Sequence, residues 1–137
     1  VPSARGILDT SAVILLSRIE DPSLLPEEPL TTAVTLAELS VGPLITDDPT
    51  VRVARQAHVQ QLEADFHPLP FDAEAARAFG RVSASLRRAG RKTAARVYDA
   101  MIAAIALAHG LPVYTCNPSD FDGIEGLEVI AVPAPAS

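Results

Sequence analysis

The sequence predicts an α/β fold with a mainly parallel sheet. Short apolar runs end in turn or helix-capping residues. Segments with helical spacing of apolar residues follow them, and the two kinds of segment alternate along the chain. Sheets of this type carry ligand sites outside the carboxyl ends of their strands, so function is sought there.

The elements follow in order. Gly6-Ile7-Leu8 lies in a buried strand over about 5–8, and Asp9-Thr10-Ser11 supplies capping side chains for a helix over 11–19. Pro22, Pro26 and Pro29 mark residues 21–29 as a loop. Leu30 to Val34 reads as a second strand, and Thr35 opens a helix that stops near Gly42-Pro43. Val51, Ala54, Ala57 (or His58) and Leu62 are spaced for a helix over 50–65, and 67–70 is a short extended piece. Ala75, Ala76, Phe79, Val82 and Leu86 form the stripe of a helix over 73–89. After a basic turn at 90–93, residues 96–109 form the most apolar helix, stopped by Gly110. Strands over 111–115 and 127–130 flank a turn at Asn117-Pro118-Ser119-Asp120, and a tail runs from Pro133 to Ser137.

The 137 residues suit one domain, 1–137, with enough apolar content (48%) to exclude disorder. Aromatics are 4%, so Leu, Ile, Val and Ala must fill the core. No apolar run reaches the roughly 18–20 residues that span a bilayer, and Val1-Pro2-Ser3 does not read as the start of a signal peptide. The single cysteine, Cys116, points to a reducing, cytoplasmic setting.

A net charge of −6 argues against nucleic-acid binding, but the distribution argues otherwise. Between residues 77 and 96 stand Arg77, Arg81, Arg87, Arg88, Arg91, Lys92 and Arg96 with no acid among them. This is either a solvated face or a strip facing phosphates; in the second case Arg87, Arg88, Arg91, Lys92 and Arg96 are the candidate RNA contacts.

Four acids stand where the fold class puts its sites. Asp9 follows the first strand, and Glu38 lies one turn beyond the second. Asp99 opens the most apolar helix, and Asp120 lies just past the strand at 111–115. Each also has a local explanation. Asp9 can cap a helix, Thr35 and Glu38 match a capping box, Asp99 suits a helix dipole and Asp120 suits a turn. Four at one edge exceed those explanations, and Asp99 sits among apolar neighbours, where a carboxylate needs a partner. Clustered carboxylates raise one another's pKa, and a divalent cation relieves that penalty. Hard oxygen donors select Mg²⁺ or Mn²⁺ over zinc. His58, His67 and His109 lack metal-ligand spacing; His58 and His109 read as half-buried helix residues and His67 as a loop residue. A carboxylate-held Mg²⁺ commonly meets phosphate, so phosphodiester hydrolysis fits both the acids and the basic strip. There is no Gly-x-Ser-x-Gly elbow and no Walker A loop.

In that order and spacing, Leu8-Asp9-Thr10-Ser11, Thr35-Leu36-Ala37-Glu38-Leu39, Asp99-Ala100-Met101-Ile102-Ala103-Ala104 and Thr115-Cys116-Asn117-Pro118-Ser119-Asp120-Phe121 resemble a PIN domain, and more narrowly the VapC toxins. Gly126-Leu127-Glu128-Val129 after Asp120-Phe121 is typical of that group, and the resemblance covers about 6 to 132. It implies a three-layer αβα sandwich and a Mg²⁺- or Mn²⁺-dependent endoribonuclease that cuts tRNA or a ribosomal RNA loop. It also implies a homodimer inhibited by a VapB-type antitoxin, which lays a helix and an extended arm over the toxin. By position, Asp9, Glu38 and Asp99 match the acids that hold the metal, and Asp120 matches a fourth, more variable acid. Asn117 matches a polar position beside Asp120, and Ser11 a hydroxyl beside Asp9 that can bond a ligand carboxylate or cap a helix. Arg96, one turn before Asp99, faces the site or a phosphate, or is a surface cation. Cys116 stands where an Arg is common, and Pro118 stiffens the loop carrying Asp120. Leu24, Leu25, Val41, Leu44 and Ile45 either form a groove for a partner helix or pack in the core. The other readings are a catalytically silent PIN-like module that binds RNA or protein and, more weakly, a Mg²⁺-dependent phosphatase; the presence of all four acids favours the nuclease.

Overall fold

The computed structural model describes residues 4–135. Val1-Pro2-Ser3 and the last two residues of the tail lie outside the described residues. Four strands make one sheet: β1 (Arg5–Leu8), β2 (Glu28–Leu30), β3 (Val113–Thr115) and β4 (Val129–Ala131), in the order β2-β1-β3-β4 with every pair parallel. Five α-helices cover it: α1 (Thr10–Leu15), α2 (Ala33–Val41), α3 (Pro49–Asp65), α4 (Ala73–Arg88) and α5 (Val97–His109).

The alternation of strand side chains builds the layers. In register across the sheet, Ile7, Val113 and Val129 face one core, with Val82 and Leu86 of α4 and Ile102 and Ile105 of α5. Their neighbours Leu8, Tyr114 and Ile130 face the other, with Ala12 of α1, Leu24, Leu25 and Phe66. A sheet packed on both faces is the three-layer α/β/α arrangement. Ile102 and Ile105 are fully buried, each contributing about 1.5–3 kcal/mol. Among the described residues no helix is long and apolar enough to cross a membrane.

Several boundaries depart from expectation. The second strand, Glu28–Leu30, begins inside the expected loop and keeps only Leu30 of the expected strand, whose residues Ala33 and Val34 are already helical. Because β2 is an edge strand, Pro29 removes no donor that the sheet needs. The Thr32 hydroxyl accepts from Thr35 N–H at 3.2 Å and caps α2, so the capping box at Thr35 and Glu38 does not form. α1 ends at Leu15 and continues as a 3-10 turn over Leu16–Arg18. A second 3-10 turn, Thr93–Arg96, precedes α5. The last two strands span 113–115 and 129–131. On α4, Ala78 is buried in the stripe and Ala76 is exposed. His109 is exposed rather than half-buried. Leu24 and Leu25 pack into the second core, whereas Val41, Leu44 and Ile45 are exposed.

Candidate active site

β1 ends at Leu8, and the next residue, Asp9, is the N-cap of α1: its Oδ1 accepts Ala12 N–H at 3.0 Å. The carboxylate is 3% exposed. The Ser11 hydroxyl donates to Oδ1 at 2.7 Å, and the Thr115 hydroxyl at the end of β3 donates to Oδ2 at 2.6 Å. Backbone amides hold those hydroxyls in turn. Cys116 N–H donates to Ser11 Oγ at 3.1 Å and Asn117 N–H to Thr115 Oγ1 at 2.9 Å. Capping and orienting are therefore one arrangement, and Ser11 serves Asp9. Asn117 contributes its backbone, while its side chain makes no cap bond and the residue is exposed.

Glu38 projects from the second turn of α2. Its Oε1 accepts from the Thr10 hydroxyl at 2.7 Å. That commits Thr10's proton, so Thr35 Oγ1 is the donor in its 3.1 Å contact with Thr10 Oγ1. Beside Glu38 lies a hollow of about 380 Å³ lined by Thr10, Ile14, Leu39, Gly42, Arg55 and His58. Asp99 occupies the first turn of α5, which no side chain caps. In the turn before it, Arg96 Nη1 donates to Asp120 Oδ1 at 2.6 Å.

Electrostatics joins the four acids. Burial pushes the Asp99 carboxyl up to about 6, helped by the charges of Asp120, Asp9 and Glu38 and opposed by Arg96. Burial also raises Asp9, against the hydrogen bonds from Thr115, Ala12 and Ser11 and with help from Asp120. Glu38 is raised by burial, against its Thr10 bond and with help from Asp9. Burial and the Asp9 charge push the Cys116 thiol up, which leaves it a poor nucleophile. As placed, no three acidic, histidine or cysteine side chains among the described residues are gathered around one point to hold an ion. The donor set nonetheless fits a hard divalent cation. It consists of carboxylate oxygens, and their mutual repulsion is what a positive charge would relieve.

The basic strip divides. Arg88 pairs with Glu125 at 3.1 Å, Arg91 with Asp122 at 3.8 Å and Arg96 with Asp120. Arg87 and Lys92 have no acidic partner among the described residues and line a hollow with Ser83 and Arg91. Sequence reasoning missed Thr10, Thr35 and Thr115. The available signal was Thr115 closing the strand next to β1, where a parallel neighbour of Asp9 must lie.

The chain matches the PIN domain family over residues 7–127. It is 40% identical over 134 residues to the ribonuclease VapC5 of Mycobacterium tuberculosis, covering 94% of this chain and 96% of the relative. Its structure is similar to that of VapBC-5, a toxin-antitoxin family member from the same organism. The TM-score is 0.80 at 39% identity, over 94% of this chain and 99% of that one. It is also similar to the DNA-bound VapBC of Salmonella typhimurium, with TM-score 0.71 at 25% identity over 91% and 96% of the two chains.

Proposed function

We propose, on the premise that this chain belongs to the PIN-domain family and is a ribonuclease toxin of the VapC type, that it cuts RNA with a divalent metal ion held by its acidic cleft. The observation that carries the metal is the coupling of four carboxylates from separate segments: burial drives Asp99 up to about 6, and the charges of Asp120, Asp9 and Glu38 add to that rise. Such a cluster is stable with every acid ionised only beside a compensating charge.

Asp9, Glu38 and Asp99 would hold the ion, with Asp120 beside them. Mg²⁺ or Mn²⁺ bound there would polarise a phosphoryl oxygen and make a water molecule more acidic. The chain's own residues prepare the site. Thr115, Ser11 and the Ala12 amide fix both oxygens of Asp9, and Thr10 fixes one oxygen of Glu38. Without the ion Asp99 keeps its proton up to about 6, so binding the ion there would displace that proton. Arg96 holds Asp120 and places a positive charge next to the cleft.

The substrates proposed are tRNA or ribosomal RNA loops, whose unstacked bases are open to recognition. The partner is a VapB-type antitoxin, as in the toxin-antitoxin assemblies that the structural neighbours form. A homodimer and a cytoplasmic setting complete the proposal; free Cys116 suits a reducing compartment.

The test is incubation of antitoxin-free protein with total tRNA and ribosomal RNA in Mg²⁺, in Mn²⁺ and in EDTA. Discrete fragments with either metal and none in EDTA are expected. Intact RNA throughout, from folded protein, overturns the reading.

A further inference from the structure

We propose that the hollow formed by Ser83, Arg87, Arg91, Lys92 and Thr93 seats a backbone phosphate of the RNA, adjacent along the strand to the phosphate cut in the acidic cleft. The proposal rests on RNA being the substrate, as argued above, and it adds a second phosphate site on the same strand.

The hollow encloses about 500 Å³ between the last turns of α4 and the 3-10 turn that leads into α5. The Ser83 hydroxyl, on a residue lining it, is buried with no hydrogen-bond partner. An orphaned buried hydroxyl costs about 1–3 kcal/mol, and rotation of the Ser83 side chain toward an acceptor bound in the hollow would remove that cost. Phosphate offers oxygen acceptors only, and every polar side chain of this lining can donate.

The ion pairs separate the cations. Arg88, Arg91 and Arg96 are engaged by Glu125, Asp122 and Asp120. Arg87 and Lys92, without acidic partners among the described residues, supply the charge. The two are complementary toward phosphate: Arg as a planar fork, Lys as a point charge. Arg77 and Arg81 also lack acidic partners among the described residues but lie outside this hollow, so Arg87 and Lys92 are the uncompensated cations that line it.

The position links the hollow to the cleft. Thr93 lines the hollow, and Arg96, which ends the same 3-10 turn, is bonded to Asp120. Three steps of about 2 Å rise put these two residues roughly 6 Å apart along the turn axis. A strand with one phosphate in the acidic cleft can therefore set a neighbouring phosphate against Lys92 and Arg87, without leaving the surface.

The experiment measures binding apart from cutting. Full-length protein carrying Asp99→Asn is titrated against a fluorescein-labelled, mixed-sequence single-stranded RNA 12-mer, by anisotropy over a range of salt. In that background Arg87→Ala, Lys92→Ala and Ser83→Ala are compared with Arg5→Ala, which removes a cation at the opposite end of β1. Arg87→Ala and Lys92→Ala should each raise Kd about three- to tenfold. Their slopes of log K against log salt should flatten by up to about 0.7, the value for one lost single-strand phosphate contact. Ser83→Ala should weaken binding two- to threefold with the slope unchanged, since it removes a donor and no charge. Arg5→Ala should stay within about twofold. Equal effects from Arg5→Ala and Lys92→Ala, or none from Arg87→Ala and Lys92→Ala while the parent binds RNA, overturn the site and leave the ribonuclease reading intact. No RNA binding by the folded Asp99→Asn parent overturns the site alone; the ribonuclease reading falls only if the unsubstituted protein leaves tRNA and ribosomal RNA intact in Mg²⁺ and Mn²⁺. A parallel titration with inorganic phosphate separates the sources. Phosphate binding that depends on Arg87 and Lys92, with RNA binding that does not, marks a free-anion site and overturns the proposal.

Discussion

Arg96 and Asp120 are joined at 2.6 Å, tying the turn that opens α5 to the loop that follows β3. The guanidinium lowers the proton affinity of Asp99, the most strongly perturbed of the four acids. Removing it should therefore raise the Asp99 carboxyl above about 6. Arg96→Met should tighten Mn²⁺ binding at pH 8, where Asp99 is ionised in either protein and a repelling cation has gone, and should tighten it less at pH 6, where the raised Asp99 carboxyl offsets part of the gain. The pH dependence of Mn²⁺ affinity checks this; a loss of affinity at both pH values would mean that Arg96 acts by ordering the loop that carries Asp120. The pair is partly exposed, so its own contribution to stability is small.

Asp99 should oppose stability in the metal-free protein at neutral pH. Its folded-state carboxyl lies near 6, above the ordinary 3.8, so the folded state holds the proton more tightly. The stabilising contribution is full below about 3.8 and is lost as pH rises through about 6. In EDTA, Asp99→Asn should melt several degrees above the parent at pH 7.5, and that difference should shrink towards pH 4. In excess Mg²⁺ the order should reverse, because only the parent gains from the ion. Melting curves at four pH values, with and without Mg²⁺, decide it.

Thr115 is the principal hydrogen-bond donor to Asp9. Thr115→Val keeps the shape and leaves a buried carboxylate oxygen without that donor. Urea unfolding at pH 7 should show a loss of about 1–3 kcal/mol, and Thr115→Ser should recover most of it. Because Asp9 is then harder to ionise, the loss should narrow as the pH falls. Equal loss in Thr115→Ser would assign the effect to packing.

These features differ in how far the sequence displays them. Asp9, Glu38, Asp99 and Asp120 are legible because each sits at a fixed place relative to an apolar run, and apolar runs locate strands and helices. The fold class is legible for the same reason, down to the two-faced alternation of Ile7 and Leu8. β2 is not, because Pro26 and Pro29 carry a loop signal, and only sheet order reveals an edge position that tolerates proline. Thr10 and Thr115 are not, because their acids are 28 and 106 residues away and no local pattern encodes those contacts. The sorting of the basic strip fails likewise: Glu125, Asp122 and Asp120 engage arginines 37, 31 and 24 positions earlier, across a fold that the charge run does not describe.

Gly6 shows a constraint of a different kind. A Cβ there would stand 2.5 Å from Cε1 of Tyr114, whose ring fills the second core. Gly6→Ala should therefore destabilise the fold by about 1–3 kcal/mol through overpacking. The midpoint of chemical unfolding measures it, and a neutral result would show that the ring can move aside.

The central claim is that the four carboxylates hold a divalent ion. It is tested most directly by calorimetric titration of Mn²⁺ into antitoxin-free protein at pH 6, in two buffers of different ionisation enthalpy. The account predicts saturable binding with proton release, because ligation must displace the proton that Asp99 holds near that pH, and it predicts loss of both in Asp99→Asn. Folded protein that cuts RNA in EDTA and takes up no Mn²⁺ in this titration would contradict it.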